Sequence, residues 1–153
     1  MHTLVRAAAV LAAAYVFRAG AADGRQAVEA GELVVEPPTL ISLGFEWYVE
    51  GDANRNAAVA VAYRAAGERA WHESLPLLRV QNEHTFYANT LWYVAPNMFA
   101  GSVFELTENT EYEVRFKLTD PDGGDAERIV KVRTRPEPQP AAGGRTFHVY
   151  PFD

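Results

Sequence analysis

At 153 residues, with 48% apolar and 22% charged side chains, the chain has the make-up of a soluble globular protein, with room for one two-layer core and an appendage at either end. Its net charge of −6 argues against nucleic acid as a partner, since phosphates need a basic face, and disfavours anionic membrane surfaces. With no cysteine, it has no disulfide framework, thiolate metal site, thiol nucleophile or lipid-modified N-terminal Cys.

The first segment reads as an export leader over residues 1–21. Met1 to Arg6 is short and positive, Ala7 to Phe17 is an apolar run, and Ala19-Gly20-Ala21 has the small-x-small pattern that a signal peptidase cuts. The apolar run is too short to cross a bilayer, which needs about 20 such residues. Removing the leader takes away Arg6 and Arg18 and leaves a mature chain of −8. The expected location is therefore secreted or periplasmic, with no membrane contact once the leader is gone. Residues 22–31 read as a polar spacer.

From Leu33 the apolar residues recur every second position, the mark of half-buried strands. Leu33 to Glu36 is a short strand stopped by Pro37-Pro38. In the next, Ile41, Leu43, Phe45, Trp47 and Val49 share one face. The turn formers of Gly51 to Asn56 follow, and then Val59, Val61 and Tyr63 share a face. Trp71 to Glu73 and Leu77 to Val80 read as strand pieces either side of Pro76. Residues 81–97 are rich in aromatics and do not alternate cleanly. Ser102 to Leu106 is a short strand. Tyr112, Val114, Phe116 and Leu118 oppose Glu111, Glu113, Arg115 and Lys117 in the clearest strand of the chain. After the turn at Asp120 to Asp125, the last strand runs from Ile129 to Thr134. No segment of the body has a helical period. About seven short strands divided by turns predict an all-β, antiparallel sandwich, because one sheet alone would leave its apolar face wet.

Several local patterns make that expectation more specific. Trp47 lies in the second strand; Tyr63-Arg64, Gly67 and Trp71 follow; Leu106-Thr-Glu-Asn-Thr-Glu-Tyr112-Glu-Val114 comes later; and Thr134-Arg135-Pro136 closes the segment. Together they resemble the fibronectin type III family over residues 32–136, with Glu108-Asn109 where that family has Pro-Gly. The resemblance implies a seven-stranded immunoglobulin-like β-sandwich with Trp47, Tyr63, Leu106 and Tyr112 as its structural core. Leu106 would hold the corner, and the Tyr112 hydroxyl would bond back to upstream backbone. Gly51-Asp-Ala-Asn-Arg-Asn56, Leu75-Pro-Leu-Leu-Arg79 and Pro96-Asn-Met-Phe-Ala-Gly-Ser102 resemble, further, the leading module of large secreted bacterial proteins, where it precedes a right-handed parallel β-helix. The tail over residues 137–153, with Gly143-Gly144-Arg145 through Pro151, is similar to the beginning of that β-helix. On this resemblance the chain is a Pro/Gly linker and a module whose downstream domain is missing.

No catalytic constellation is expected. His2, His72, His84 and His148 are scattered without metal-ligand spacing, and His84 beside Glu83 lacks an accompanying nucleophile motif. Asp120, Asp122 and Asp125 have the composition of a plain acidic turn rather than a calcium loop, which would carry a Glu at its twelfth position and flanking helices. No cofactor or metal is implied. The feature a minimal sandwich leaves unexplained is the 82–99 insert, where His84, Phe86, Tyr87, Trp92 and Tyr93 form a candidate ligand or docking surface. Folded down, they would cap the core or dock a following domain; exposed, they would suit sugar rings. The sequence thus predicts a non-catalytic spacer or docking module whose partner is a protein domain of the β-helix kind, with carbohydrate binding as the alternative.

Overall fold

The computed structural model describes residues 24–87, 91–140, 142–145 and 147–150; the expected leader, residues 1–21, lies outside them. The described residues contain no helix. They form ten strands: β1 (Val28–Val35), β2 (Leu43–Gly51), β3 (Ala58–Ala65), β4 (His72–Glu73), β5 (Leu78–Val80), β6 (His84–Tyr87), β7 (Leu91–Val94), β8 (Met98–Val103), β9 (Glu111–Thr119) and β10 (Ala126–Arg133). Every pairing is antiparallel. Two four-stranded sheets, ordered β1-β2-β8-β5 and β10-β9-β3-β4, hold eight of the strands, and β6 and β7 pair only with each other.

The alternation of side chains explains how the two sheets meet. Leu43, Phe45, Trp47 and Val49 on β2 face Val114, Phe116 and Leu118 on β9 and Val59 and Val61 on β3 in one buried cluster. Phe45 and Phe116 meet edge to face with ring centroids 4.8 Å apart, and Trp47 meets Phe116 at 6.4 Å. Slipping either strand by one residue would turn this set outward, so the period-two pattern fixes the register. The fold is a sandwich-like pair of sheets around one core.

Three boundaries differ from the sequence expectation. The first strand starts at Val28, inside the stretch read as a polar spacer, and Val28 is buried. Its N–H is gripped from the far sheet by the Asp120 carboxylate at 2.7 Å and the Gly123 carbonyl at 3.1 Å. Gly124 makes that approach possible: with φ at +96°, a Cβ there would lie 1.7 Å from the Val28 carbonyl oxygen. Ile41 does not share the inward face of β2. The Thr39 hydroxyl accepts from the N–H of both Ile41 (3.2 Å) and Ser42 (2.9 Å), closing a tight turn that leaves Leu40 and Ile41 exposed. Finally, the strand expected over Ser102–Leu106 is β8, which ends at Val103 and leaves Phe104 exposed.

The corner before β9 closes on the Tyr112 hydroxyl. The buried Tyr112 hydroxyl accepts the Thr107 N–H at 2.9 Å, and Leu106 is buried beside it. Tyr63 is half-buried against this ring, with centroids 6.1 Å apart. Tyr112→Phe leaves the Thr107 N–H without its acceptor, so we expect a loss of about 1–2 kcal/mol in urea unfolding; a change within error would mean that water replaces the hydroxyl without penalty.

The outward face of the second sheet carries an ion ladder. Arg64 donates to Glu113 on β9, with a closest approach of 2.5 Å, and Lys131 on β10 reaches the same carboxylate at 3.1 Å. The Arg64 hydrogen bond, then that of Lys131, holds the Glu113 carboxyl below its ordinary value of 4.5. A carboxylate lowered by folding stabilises the protein above its unfolded pKa, and that contribution disappears as pH falls through the folded one. The thermal midpoint should therefore fall below pH 4.5, less steeply in Glu113→Gln; parallel profiles for the two proteins would exclude this role. The guanidinium groups of Arg64 and Arg115 also lie over the Trp71 ring, at 4.4 and 4.5 Å from its centre, which gives that tryptophan a structural role.

Candidate ligand surface on the 84–94 hairpin

The β2 strand ends, and β3, β8 and β1 begin, at one pole of the sandwich, called here the N-terminal pole. The hairpin β6–β7 rises from this pole between β5 and β8. Its base continues the ladder: Asn82 N–H donates to the Ala95 carbonyl (3.0 Å) and Ala95 N–H to the Glu83 carbonyl (2.8 Å). Arg55, from the loop between β2 and β3, forms an ion pair with Glu83 at 2.5 Å. That hydrogen bond is the main reason the Glu83 carboxyl lies below its ordinary pKa.

Beneath the hairpin lies a buried ion pair that sequence reasoning did not single out. The Asp52 side chain is fully buried and that of Arg79 nearly so, and the Arg79 Nε donates to Asp52 Oδ2. The other Asp52 oxygen accepts the N–H groups of Asn56 (3.0 Å) and Ala57 (3.1 Å). The Arg79 guanidinium reaches the carbonyls of Val80 (2.6 Å) and Met98 (3.2 Å) and lies 5.0 Å from the Phe99 ring centre. Asn97 completes the junction by donating to the Gly51 carbonyl at 2.9 Å. The three segments Gly51–Asn56, Leu75–Arg79 and Pro96–Ser102, far apart in the chain, thus converge here. Their only sequence signal was their joint resemblance to one kind of module; nothing in period or spacing pairs residue 52 with residue 79.

The pairing Phe86↔Trp92 and His84↔Val94 sets these four residues on one face of the hairpin and Thr85 and Tyr93 on the other. Trp92 is flanked edge to face by His84, with centroids at 5.6 Å, and by Phe86 at 6.0 Å. Trp92 remains 67% exposed and Phe86 59%. Capping of the core by these rings is therefore not what the fold does. Tyr93, on the opposite face, is near enough to Tyr48 on β2 to act on its ionisation. The Tyr48 hydroxyl is pushed up to about 12, first by its hydrogen bond to Glu46 at 2.7 Å, with burial next. Tyr87 belongs to β6, and its side chain lies outside the described residues. The structure thus brings together His84, Phe86 and Trp92 and separates Tyr93 from them.

Neither the known protein families nor the curated proteins compared with this chain include a match.

The remaining candidates for chemistry are occupied by structure. Asp120 accepts from Val28 and, at 2.8 Å, from the Asp122 N–H, and Asp125 accepts the Asp120 N–H at 3.0 Å. Asp122 takes the side-chain amides of Asn54 (2.7 Å) and Asn56 (2.8 Å), which lower its pKa. Among the described residues no three His, Asp or Glu side chains gather into a metal-holding group. Glu83 pairs with Arg55 while the His84 ring lies against Trp92. His72 is 3.6 Å from Glu68 on the surface, and His148 is exposed in the tail.

Proposed function

We propose that the chain is a non-catalytic, exported module of the fibronectin type III kind, serving as spacer and docking domain for a parallel β-helix partner. The carrying observation is where the chain crosses the sandwich. It comes in at the N-terminal pole, where Val28 is clamped, and leaves at the opposite one, after Arg133. At the second, C-terminal pole, Arg135 N–H donates to the Thr39 carbonyl at 2.9 Å and its own carbonyl accepts the Asn109 N–H at 3.1 Å. The central strands β2 and β9 are nine residues long, so the two poles stand about 30 Å apart. A chain that crosses a rigid body from end to end sets a distance between what lies on either side.

The C-terminal pole also supplies the docking surface. Leu40, Ile41 and Phe104 are exposed there, pushed out by the Thr39 turn and the end of β8, and the Leu106 N–H bonds the Ile41 carbonyl at 3.0 Å. A domain following Arg135 would settle on these side chains, not on the hairpin. Strand order supports the family reading. With the two-residue β4 at the edge of the second sheet and the inserted hairpin set aside, the order β1-β2-β8-β5 against β3-β9-β10 is compatible with an immunoglobulin-like sandwich.

The test is to recover the native protein from its source cells with an antibody against residues 24–135 and sequence it by mass spectrometry. The expected product lies outside the cytoplasm, lacks residues 1–21, and either continues past Asp153 into β-helix repeats or carries a β-helix protein with it. A cytoplasmic chain with Met1 intact would overturn export. An exported chain ending at Asp153 and recovered alone would overturn docking.

A further inference from the structure

We propose that the β6–β7 hairpin is a saccharide-binding tip for an uncharged glycan, with Trp92 and Phe86 stacking on the C–H faces of sugar rings and His84 meeting a hydroxyl.

Position comes first. The hairpin stands at the pole opposite the chain's exit, so a domain following Arg135 leaves it open. The core cluster of the described residues takes no side chain from the hairpin; its large rings, Trp47, Phe45, Phe99 and Phe116, belong to the two large sheets. The edge-to-face contacts of Trp92 help hold the two strands together, yet most of the surface of Trp92 and Phe86 stays in water. Exposed aromatic surface of this kind marks a place where something binds.

Size and charge decide what. Four residues of each strand make a face about 13 Å long and about 10 Å wide, well short of the roughly 800 Å² that each side of a stable protein interface buries. The face matches a short run of sugar rings. Between Glu83 and Glu105 the sequence has no Asp, Glu, Lys or Arg, so the hairpin offers neither Lys nor Arg to an acidic polysaccharide, and the chain's net charge of −6 repels one. The same absence of Lys and Arg removes the attraction to anionic lipid on which interfacial aromatic segments draw. What remains is apolar ring surface with a few neutral hydrogen-bonding groups, the complement of a neutral sugar with an apolar and a hydroxylated side. The base of the hairpin is tied down by the Arg55–Glu83 pair and, beneath it, by the buried Asp52–Arg79 pair, and such anchoring reduces the ordering cost of binding.

The experiment uses the chain without residues 1–21 on a printed array of neutral and acidic glycans, followed by titration of the retained oligosaccharides. Amide chemical shifts are recorded on the unsubstituted protein, with phosphatidylcholine and phosphatidylglycerol vesicles as a separate arm. We expect retention by neutral glycans, shifts concentrated in residues 82–95, at least tenfold weaker binding in Trp92→Ala and partial recovery in Trp92→Phe. An array that retains no neutral glycan, selective binding of acidic glycans, binding to vesicles alone, or shifts lying elsewhere on the protein would each overturn the proposal. Because the shifts are read without substitution, the outcome does not depend on how well Trp92→Ala folds.

Discussion

Trp47→Ala should remove about 3–5 kcal/mol of folding stability, the range for a fully buried Trp. Folded domains are stable by only about 5–15 kcal/mol, so the variant should be close to unfolding. Trp47 has no exposed surface, packs across the layers on Phe116, lies under the Arg128 guanidinium at 5.9 Å, and its indole N–H donates to the Gly31 carbonyl at 3.3 Å. Alanine would leave a void walled by both sheets, and neither can collapse into it without dragging its ladder along. In urea the midpoint should fall sharply while the slope stays unchanged. A loss below about 1 kcal/mol would show that the site relaxes freely and would contradict the close packing described above.

Breaking the Asp52–Arg79 pair should cost a comparable amount by a different route. Asp52→Ala leaves the Arg79 guanidinium buried without its carboxylate and two backbone N–H groups without an acceptor, and removing one partner of a buried pair costs about 3–5 kcal/mol. Arg79→Met alone should be similarly damaging, since Asp52 would be left buried without its cationic partner. The double variant should lose clearly less than the two single losses combined, because it removes both charges together. Strict additivity in this cycle would mean that the two side chains act independently. Since the pair lies under the hairpin, the single variants should also raise amide exchange in β6 and β7 before the core strands respond.

How much of this was open to sequence reasoning depended on whether the pattern had a single period. In β2, β3 and β9 one face is dry and the other wet, so Phe45, Trp47, Val59, Val114 and Phe116 stand out by alternation and their burial follows. In β1 the register shifts between Ala30 and Leu33, and this irregularity breaks the period. Val28 and Ala30 therefore fall out of phase with Leu33 and read as spacer. β8 lies between β2 and β5, and its adjacent Met98 and Phe99 are both buried, which hides its period entirely. In the hairpin, apolar residues on both faces leave no contrast to read. The aromatic content of 82–99 was visible in the sequence; its division into a face with His84, Phe86 and Trp92 and another with Tyr93 needed the pairing register. The junction of Asp52 with Arg79 was beyond pattern altogether, since it depends on two loops and a strand meeting in space.

The entry of the chain into the sandwich at Val28 and its departure after Arg133, at opposite poles, have a mechanical consequence. Tension applied between them pulls β1 and β10 along their own lengths, in opposite directions. The six register pairs of β1 with β2 and the eight of β10 with β9 then carry the load in shear and must slip together rather than open one at a time. The grip of Asp120 and Gly123 on Val28 adds a cross-link between the layers at the point where the upper pull enters. A module wired in this way transmits force along its length before it yields.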